Sequence, residues 1–290
     1  MDLKGLIDCH THCRFSPDGQ DEPSKLVEKA EQLGLKAIAV TDHCECNTWF
    51  EPEYYGIDSS KADPDDIVMY NCKSFHDNSL QPMNELKKQD HGKFVLVHGI
   101  ELGQPLQAEN IANELVNDKS IDFIIGSLHN NSGKPDFYYL EYDKMSFQQI
   151  DTLLKEYFEQ VLEMCIWGKF DILGHLTYPL RYISGKYGIS VDILRYRKTI
   201  EKIFTTLISN NKGIEINTSG LYTDLKKTMP DAQLVKLYKD IGGEIISIGS
   251  DAHRAEDVGR GIAQGAQIAK DCGFDHVAYF KNHEPVFVNL

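Results

Sequence analysis

Ile7-Asp8-Cys9-His10-Thr11-His12-Cys13-Arg14-Phe15-Ser16-Pro17-Asp18-Gly19 is the stretch on which the reading of the chain turns. A short apolar run, Gly5-Leu6-Ile7, leads into two histidines one residue apart. Residues i and i+2 of an extended strand share a side, so His10 and His12 offer two imidazoles to one ion. Pro17, Asp18 and Gly19 supply a turn that folds the Asp18 carboxylate back toward the pair. A His-x-His pair at a strand end is a common start to a metal site.

The same grammar recurs further along. The apolar run Lys36 to Val40 ends in Thr41-Asp42-His43, and Phe94 to Val97 leads into His98-Gly99-Ile100-Glu101. Phe123 to Ser127 runs to His129, Phe170 to Gly174 lands on His175, and Glu244 to Gly249 ends at Ser250-Asp251-Ala252-His253. With Gly213 to Asn217 these make seven strands. Between them lie helical patterns: Glu22 to Gly34, 105 to 117, Phe147 to Trp167, Val191 to Asn210, and one opened by Pro230. A last helix over Val258 to Cys272 precedes a short strand around His276 to Phe280. Residues 45–92 break the rhythm and read as an insertion, with helical hints near 64 to 76 and 82 to 90.

Strands alternating with helices predict a parallel α/β fold in one domain spanning 1–290. The polar candidates stand at strand ends scattered over the whole length. Only a closed ring brings all of them to one mouth, so a barrel is expected over an open sheet. Those ends carry His10, His12, His43, Glu101, His129, His175, Asp251 and His253, and they include six of the eleven histidines. Imidazoles mixed with carboxylates suit zinc, manganese or iron, and the set exceeds what one ion takes. His76, His91, His276 and His283 fall in the insertion or the tail and read as surface residues. His98, three before Glu101, reads as facing the other way.

The net charge of -14 disfavours a protein that tracks nucleic-acid phosphates. No run is long and apolar enough for a membrane span, and Met1-Asp2-Leu3-Lys4 lacks the apolar core of a signal peptide, so none is expected. The seven cysteines show no disulfide framework and read as cytoplasmic thiols. Cys44-x-Cys46 is by itself a weak metal signal.

Together, His10-x-His12 with Asp18, Thr41-Asp42-His43, Gly99-Ile100-Glu101, Gly126-Ser127-Leu128-His129, Asp171 to His175 and Gly249 to His253 resemble the PHP (polymerase and histidinol phosphatase) superfamily. Gly99 to Gly103, Gly126 to His129 and Glu215 to Leu221 are most similar to its monofunctional histidinol-phosphate phosphatases. The resemblance implies a distorted TIM-like (β/α)7 barrel holding three divalent ions. His10, His12, Glu101 and Asp251 would hold one, Asp18, His43 and His253 a second, and Glu101, His129 and His175 a third. It also implies hydrolysis of L-histidinol phosphate to L-histidinol and phosphate by a hydroxide shared between ions, since metals lower the pKa of bound water.

In that scheme Glu101 bridges two ions, and Asp251 or His253 protonates the leaving alkoxide. Arg181, in Tyr178-Pro179-Leu180-Arg181-Tyr182, is the first candidate to grip a phosphate. Arg254, Ser127 and Lys226 are further substrate candidates. One departure stands out: the family phosphatases carry a Leu-Arg-Lys run after Asn-Thr-Ser-Gly, where this chain has Leu221 to Lys227 without an arginine. Another small phosphate as substrate, or a metal-binding module without turnover, are the alternative readings.

Overall fold

The computed structural model describes residues 3–46, 72–73 and 75–290. Seven of the apolar runs form parallel strands: β1 (Ile7–Thr11), β2 (Ala37–Glu45), β3 (Val95–Gly103), β4 (Phe123–Ser127), β5 (Ile172–Leu173), β6 (Gly213–Asn217) and β7 (Ile246–Gly249). They lie side by side in the order of the chain. Parallel neighbours need a crossover between them, and the helices supply it. These are α1 (Pro23–Gln32), α2 (Phe75–Lys87), α3 (Glu109–Leu115), α4 (Phe147–Trp167), α5 (Arg197–Ser209) and α6 (Ala232–Asp240), with α7 (Ile262–Asp271) after the last strand. Strands with both faces covered must be apolar throughout, and every residue of β1, β4, β6 and β7 is buried.

The twisted sheet curls until its edges meet, giving a nearly closed barrel. Thr11 bridges Ala252 across the seam. His12 N donates to Ala252 O (2.8 Å) and Asp251 N to His10 O (2.8 Å). Below them the buried Asp8 carboxylate accepts from Ser250 N, Ser250 Oγ and Gly259 N. These bonds to charge-bearing oxygens offset the cost of burying the carboxylate.

Three expectations shift. Strand β2 runs to Glu45, and Cys46 N still donates to Gly103 O, so regular pairing extends beyond His43. Of the 45–92 segment, 47–71 and 74 lie outside the described residues, including most of the 64–76 expectation. The part near 82–90 belongs to α2, which packs on β2 and β3. Secondly, α6 starts at Ala232 and not at Pro230, because Met229 is held in an antiparallel bridge to Asn217. Thirdly, the strand near 276 has a partner: β8 (His276–Lys281) pairs antiparallel with β9 (Glu284–Asn289). Asn282 and His283 turn between them with φ 49 and 64, the left-handed pair of a two-residue hairpin. The turn docks under the barrel, where His283 N donates to Asp122 O and His283 Nδ1 meets Asp171.

His76 is a correction as well. It is buried, not on the surface, and bonds Asp118 (3.0 Å) while its ring lies 5.7 Å from that of His98. The moderate hydrophobicity of α2 hid this: the face turned to β3 includes a histidine.

Candidate metal centre

In this architecture side chains at the carboxyl ends of the strands converge on one mouth. Glu101, fully buried on β3, is the hub. Its Oε1 lies 2.7 Å from His175 Nε2 and 3.2 Å from His129 Nε2, and its Oε2 lies 2.9 Å from His43 Nδ1 and 3.4 Å from His10 Nε2. Asp251 sits beyond the end of β7 in a left-handed conformation, φ 57. That turn brings its Oδ1 to 3.4 Å from His12 Nε2 and 3.8 Å from His10 Nε2. Asp18, carried back by the Pro17-Asp18-Gly19 turn, lies 3.0 Å from His253 Nε2 and 3.7 Å from His43 Nε2.

Among the described residues, ligand atoms lie within 4.8 Å of one another in four overlapping trios. These are His10, Glu101 and His175; His10, His12 and Asp251; His12, His43 and His253; and His43, Glu45 and His129. Several inward atoms are buried without a hydrogen-bond partner: His10 Nε2, His12 Nε2, His43 Nδ1, Glu101 Oε2, Asp18 Oδ1 and His253 Nε2. Buried polar atoms are normally satisfied, so a cluster of orphans aimed at one space marks where cations fit.

The electrostatics are strongly coupled. Burial opposes charge on His10, His43 and His129, but facing carboxylates outweigh it and raise all three well above an ordinary histidine. Glu215 and Glu101 act on His10, Glu101 and Asp18 on His43, and Glu45 and Glu101 on His129. Conversely, burial pushes Glu101 and Asp251 up, yet the surrounding imidazoles hold both well below the usual carboxylate range. His12 is lowered to about 3 by burial and by His43 and His253.

The structure therefore brings together His10, His12, Asp18, His43, Glu101, His129, His175, Asp251 and His253. Arg181 joins them, with Nη1 3.7 Å from Asp251 Oδ2. The other substrate candidates are placed differently. Ser127 is buried and donates to Glu101 Oε1 (2.7 Å), which commits its hydroxyl to orienting that carboxylate. Arg254 follows His253 in extended backbone (φ -142, ψ 148) and so projects the other way. It is exposed and contacts Glu256. Lys226 is exposed in the loop before Met229 at φ 56.

Two carboxylates stand in the site beyond those expected. Glu215 Oε1 lies 2.7 Å from His10 Nδ1, while its Oε2 accepts from His175 N (2.9 Å) and Asn217 Nδ2 (3.3 Å). Glu45 Oε1 lies 2.9 Å from His129 Nδ1 and 3.1 Å from His43 Nδ1. The available signals were a lone acid inside the apolar strand Gly213 to Asn217, and the His43-x-Glu45 spacing that puts both on one side of a strand. The proximity of Ser16 Oγ to His12 Nδ1 (3.2 Å), with Ser16 donating to Asp42, gives His12 a comparable anchor. Cys44-x-Cys46 points elsewhere: Cys46 Sγ meets Cys72 Sγ at 3.1 Å.

A family model described as PHP domain matches residues 8–219. The chain is 28% identical over 273 residues to a probable histidinol-phosphatase of Thermotoga maritima, covering 94% of this chain and 95% of that protein. It is 28% identical over 277 residues to a histidinol-phosphatase of Lactococcus lactis, covering 94% of each. A crystal structure of histidinol phosphate phosphatase from Lactococcus lactis subsp. lactis, complexed with zinc, L-histidinol and phosphate, aligns with a TM-score of 0.77. That alignment has 25% identity and covers 97% of this chain and 98% of the other. The family match runs from the first strand through the sixth, and the seventh closes the ring with Asp251 and His253: the chain belongs to the PHP domain family.

Proposed function

We propose that the protein is a metal-dependent phosphomonoesterase that hydrolyses L-histidinol phosphate to L-histidinol and phosphate. The observation that carries this reading is the set of buried, unpartnered imidazole and carboxylate atoms converging around Glu101. The similarity over nearly full length to histidinol-phosphatases supports the choice of substrate. Soluble cytoplasmic chemistry is consistent with seven unbridged, buried cysteines and with the lack, among the described residues, of any helix long and apolar enough to cross a membrane.

The donor set of neutral imidazole and carboxylate fits zinc, manganese or iron. In our reading His10, His12, Glu101 and Asp251 hold one ion, Asp18, His43 and His253 a second, and Glu101, His129 and His175 a third. The 3.0 Å approach of Asp18 to His253 and the 2.7 Å approach of His175 to Glu101 support that division. Bound there, divalent ions neutralise phosphoryl oxygens and lower the pKa of water. The chain's own residues do the rest. Arg181, half a turn past the Tyr178-Pro179 corner, presents a guanidinium beside Asp251 and grips a phosphate dianion. Asp251, whose Oδ2 lies 3.7 Å from that guanidinium, or His253 passes the leaving alkoxide its proton. We read residues 1–290 as one barrel domain with an insertion at about 45–92.

The test is phosphate release by metal-loaded protein from L-histidinol phosphate against a panel of nucleotide, sugar and aryl phosphates, with metal content measured in parallel. We expect about two to three equivalents of transition metal per chain and a preference for histidinol phosphate. Metal near zero after reloading refutes the centre; equal rates across the panel refute the substrate.

A further inference from the structure

The barrel seats two outer carboxylates by the same device, and only one of them lies within the span of motifs that carry the family resemblance. On the β6–β7 side, Glu215 rests over Gly249 and meets the outer nitrogen of His10. A Cβ on Gly249 would overlap Glu215 Oε1 and the His10 Cβ. On the β2–β3 side, Glu45 rests over Gly103, where a Cβ would overlap its whole carboxylate. Glu45 meets the outer nitrogen of His129, Nδ1, at 2.9 Å, leaving Nε2 to face Glu101 at 3.2 Å. Gln104 completes the seat. It is 1% exposed, takes a left-handed φ of 49, and donates Nε2 to Glu45 Oε2 at 2.8 Å. A non-glycine residue in that conformation is strained, and such strain persists where the surroundings over-determine it.

We propose that Glu45, locked by Gly103 and Gln104, is a positioning residue that fixes His129 and His43 for metal binding without itself being a ligand. The proposal rests on the metal-centre reading above. A carboxylate on the outer nitrogen fixes which ring nitrogen carries the proton and holds the ring's angle. Glu45 Oε1 pairs with His129 Nδ1 and lies 3.1 Å from His43 Nδ1, which Glu101 Oε2 also approaches at 2.9 Å, and Glu45 Oε2 is held by Gln104. The tether makes the seat rigid: the carboxylate cannot swing toward the mouth without giving up the Gln104 bond and the space over Gly103. Glu45 therefore acts through its neighbours, on two imidazoles that our reading assigns to different ions.

The experiment is a metal-competition titration with zinc and a chromophoric chelator on wild type, Glu45→Gln, Glu45→Ala, Gln104→Leu and the Glu45→Ala/Gln104→Leu double variant. Circular dichroism accompanies each titration. Wild type should load two to three zinc equivalents, and failure to do so would refute the metal-centre reading itself. With that established, Glu45→Ala should keep the stoichiometry at saturating zinc but weaken the affected equivalents about 10–100-fold. Glu45→Gln, which retains one acceptor, should recover part of the loss. Gln104→Leu should show a smaller loss that vanishes in the Glu45→Ala background, because it acts only through Glu45. Affinity within twofold of wild type in both Glu45 variants would overturn the proposal, as would fully additive losses in the double variant. A missing equivalent at saturating zinc in a folded Glu45→Gln protein would make Glu45 a ligand and overturn it equally.

Discussion

Replacing Glu215 by glutamine is the sharpest test of how the centre is held. The side chain keeps its shape, but its chemistry no longer matches three donors. In the wild type, one oxygen faces His10 Nδ1 at 2.7 Å and the other accepts from His175 N at 2.9 Å and Asn217 Nδ2 at 3.3 Å. An amide has one acceptor oxygen and one donor NH2. Whichever way it is turned, either His10 Nδ1–H or His175 N–H meets a second donor. Glu215 is 1% exposed, so no bulk water repairs the mismatch. One unsatisfied buried donor costs about 1–3 kcal/mol, and loosening the outer anchor of a ligating histidine weakens metal about 10–100-fold. Urea unfolding of metal-stripped protein reads the first effect and zinc competition reads the second. A variant with an unmoved urea midpoint and zinc affinity within twofold of wild type would show that Glu215 neither satisfies these donors nor orients His10.

Glu101→Gln should lower activity by orders of magnitude and reduce metal content while far-UV circular dichroism stays native; near-normal turnover would remove Glu101 as the shared group. Arg181→Ala should cost about 2–4 kcal/mol in kcat/KM on histidinol phosphate and on an aryl phosphate alike, since the phosphate is common to both, and unchanged kcat/KM on both would place Arg181 outside substrate contact. His98, lowered to about 4 by burial and by His76 and Lys87, is neutral in the fold. Its contribution is fully present above pH 6.5 and is lost as pH falls toward 4. Between pH 7 and 4.5 the wild type should therefore lose about 2.5 kcal/mol more unfolding free energy than His98→Gln. Equal losses in the two urea series would mean that His98 keeps an ordinary pKa.

The barrel and its ligand-bearing mouth were legible because both follow from one periodicity. Each apolar run is short enough to be a strand, and six of the seven lead into a histidine or an acid, so placing the strands also placed the groups. What escaped lies a step further out. Glu45 was read as the start of an insertion because the apolar run stops at Val40, yet β2 continues on pairing with β3 through Glu45. Glu215 was quoted within a motif without a role, since a lone acid in an apolar strand shows its purpose only when His10 is placed beside it. Arg254 is a candidate by its nearness to His253, and Lys226 as a stand-in for the arginine that Leu221 to Lys227 lacks. Extended backbone after His253 turns Arg254 outward, and nothing in the residue order marks that reversal. The β8–β9 hairpin was half seen, because β9 has only exposed and half-buried residues and carries a proline.

The seam between the first and last strands has a consequence for how the protein is made. His10 and His12 are synthesised about 240 residues before Asp251 and His253, their neighbours across the seam. At roughly 5–20 residues per second, the interval between the two events is on the order of 10–50 s. Throughout it β1 has an unpaired edge, the kind that recruits other strands. The bonds of Asp8 to Ser250 and Gly259 cannot form until the same late segment arrives. Completion of the ion-binding mouth thus coincides with the closing of the barrel's open edge. A nascent chain stalled before residue 250 would be exposed on both counts at once.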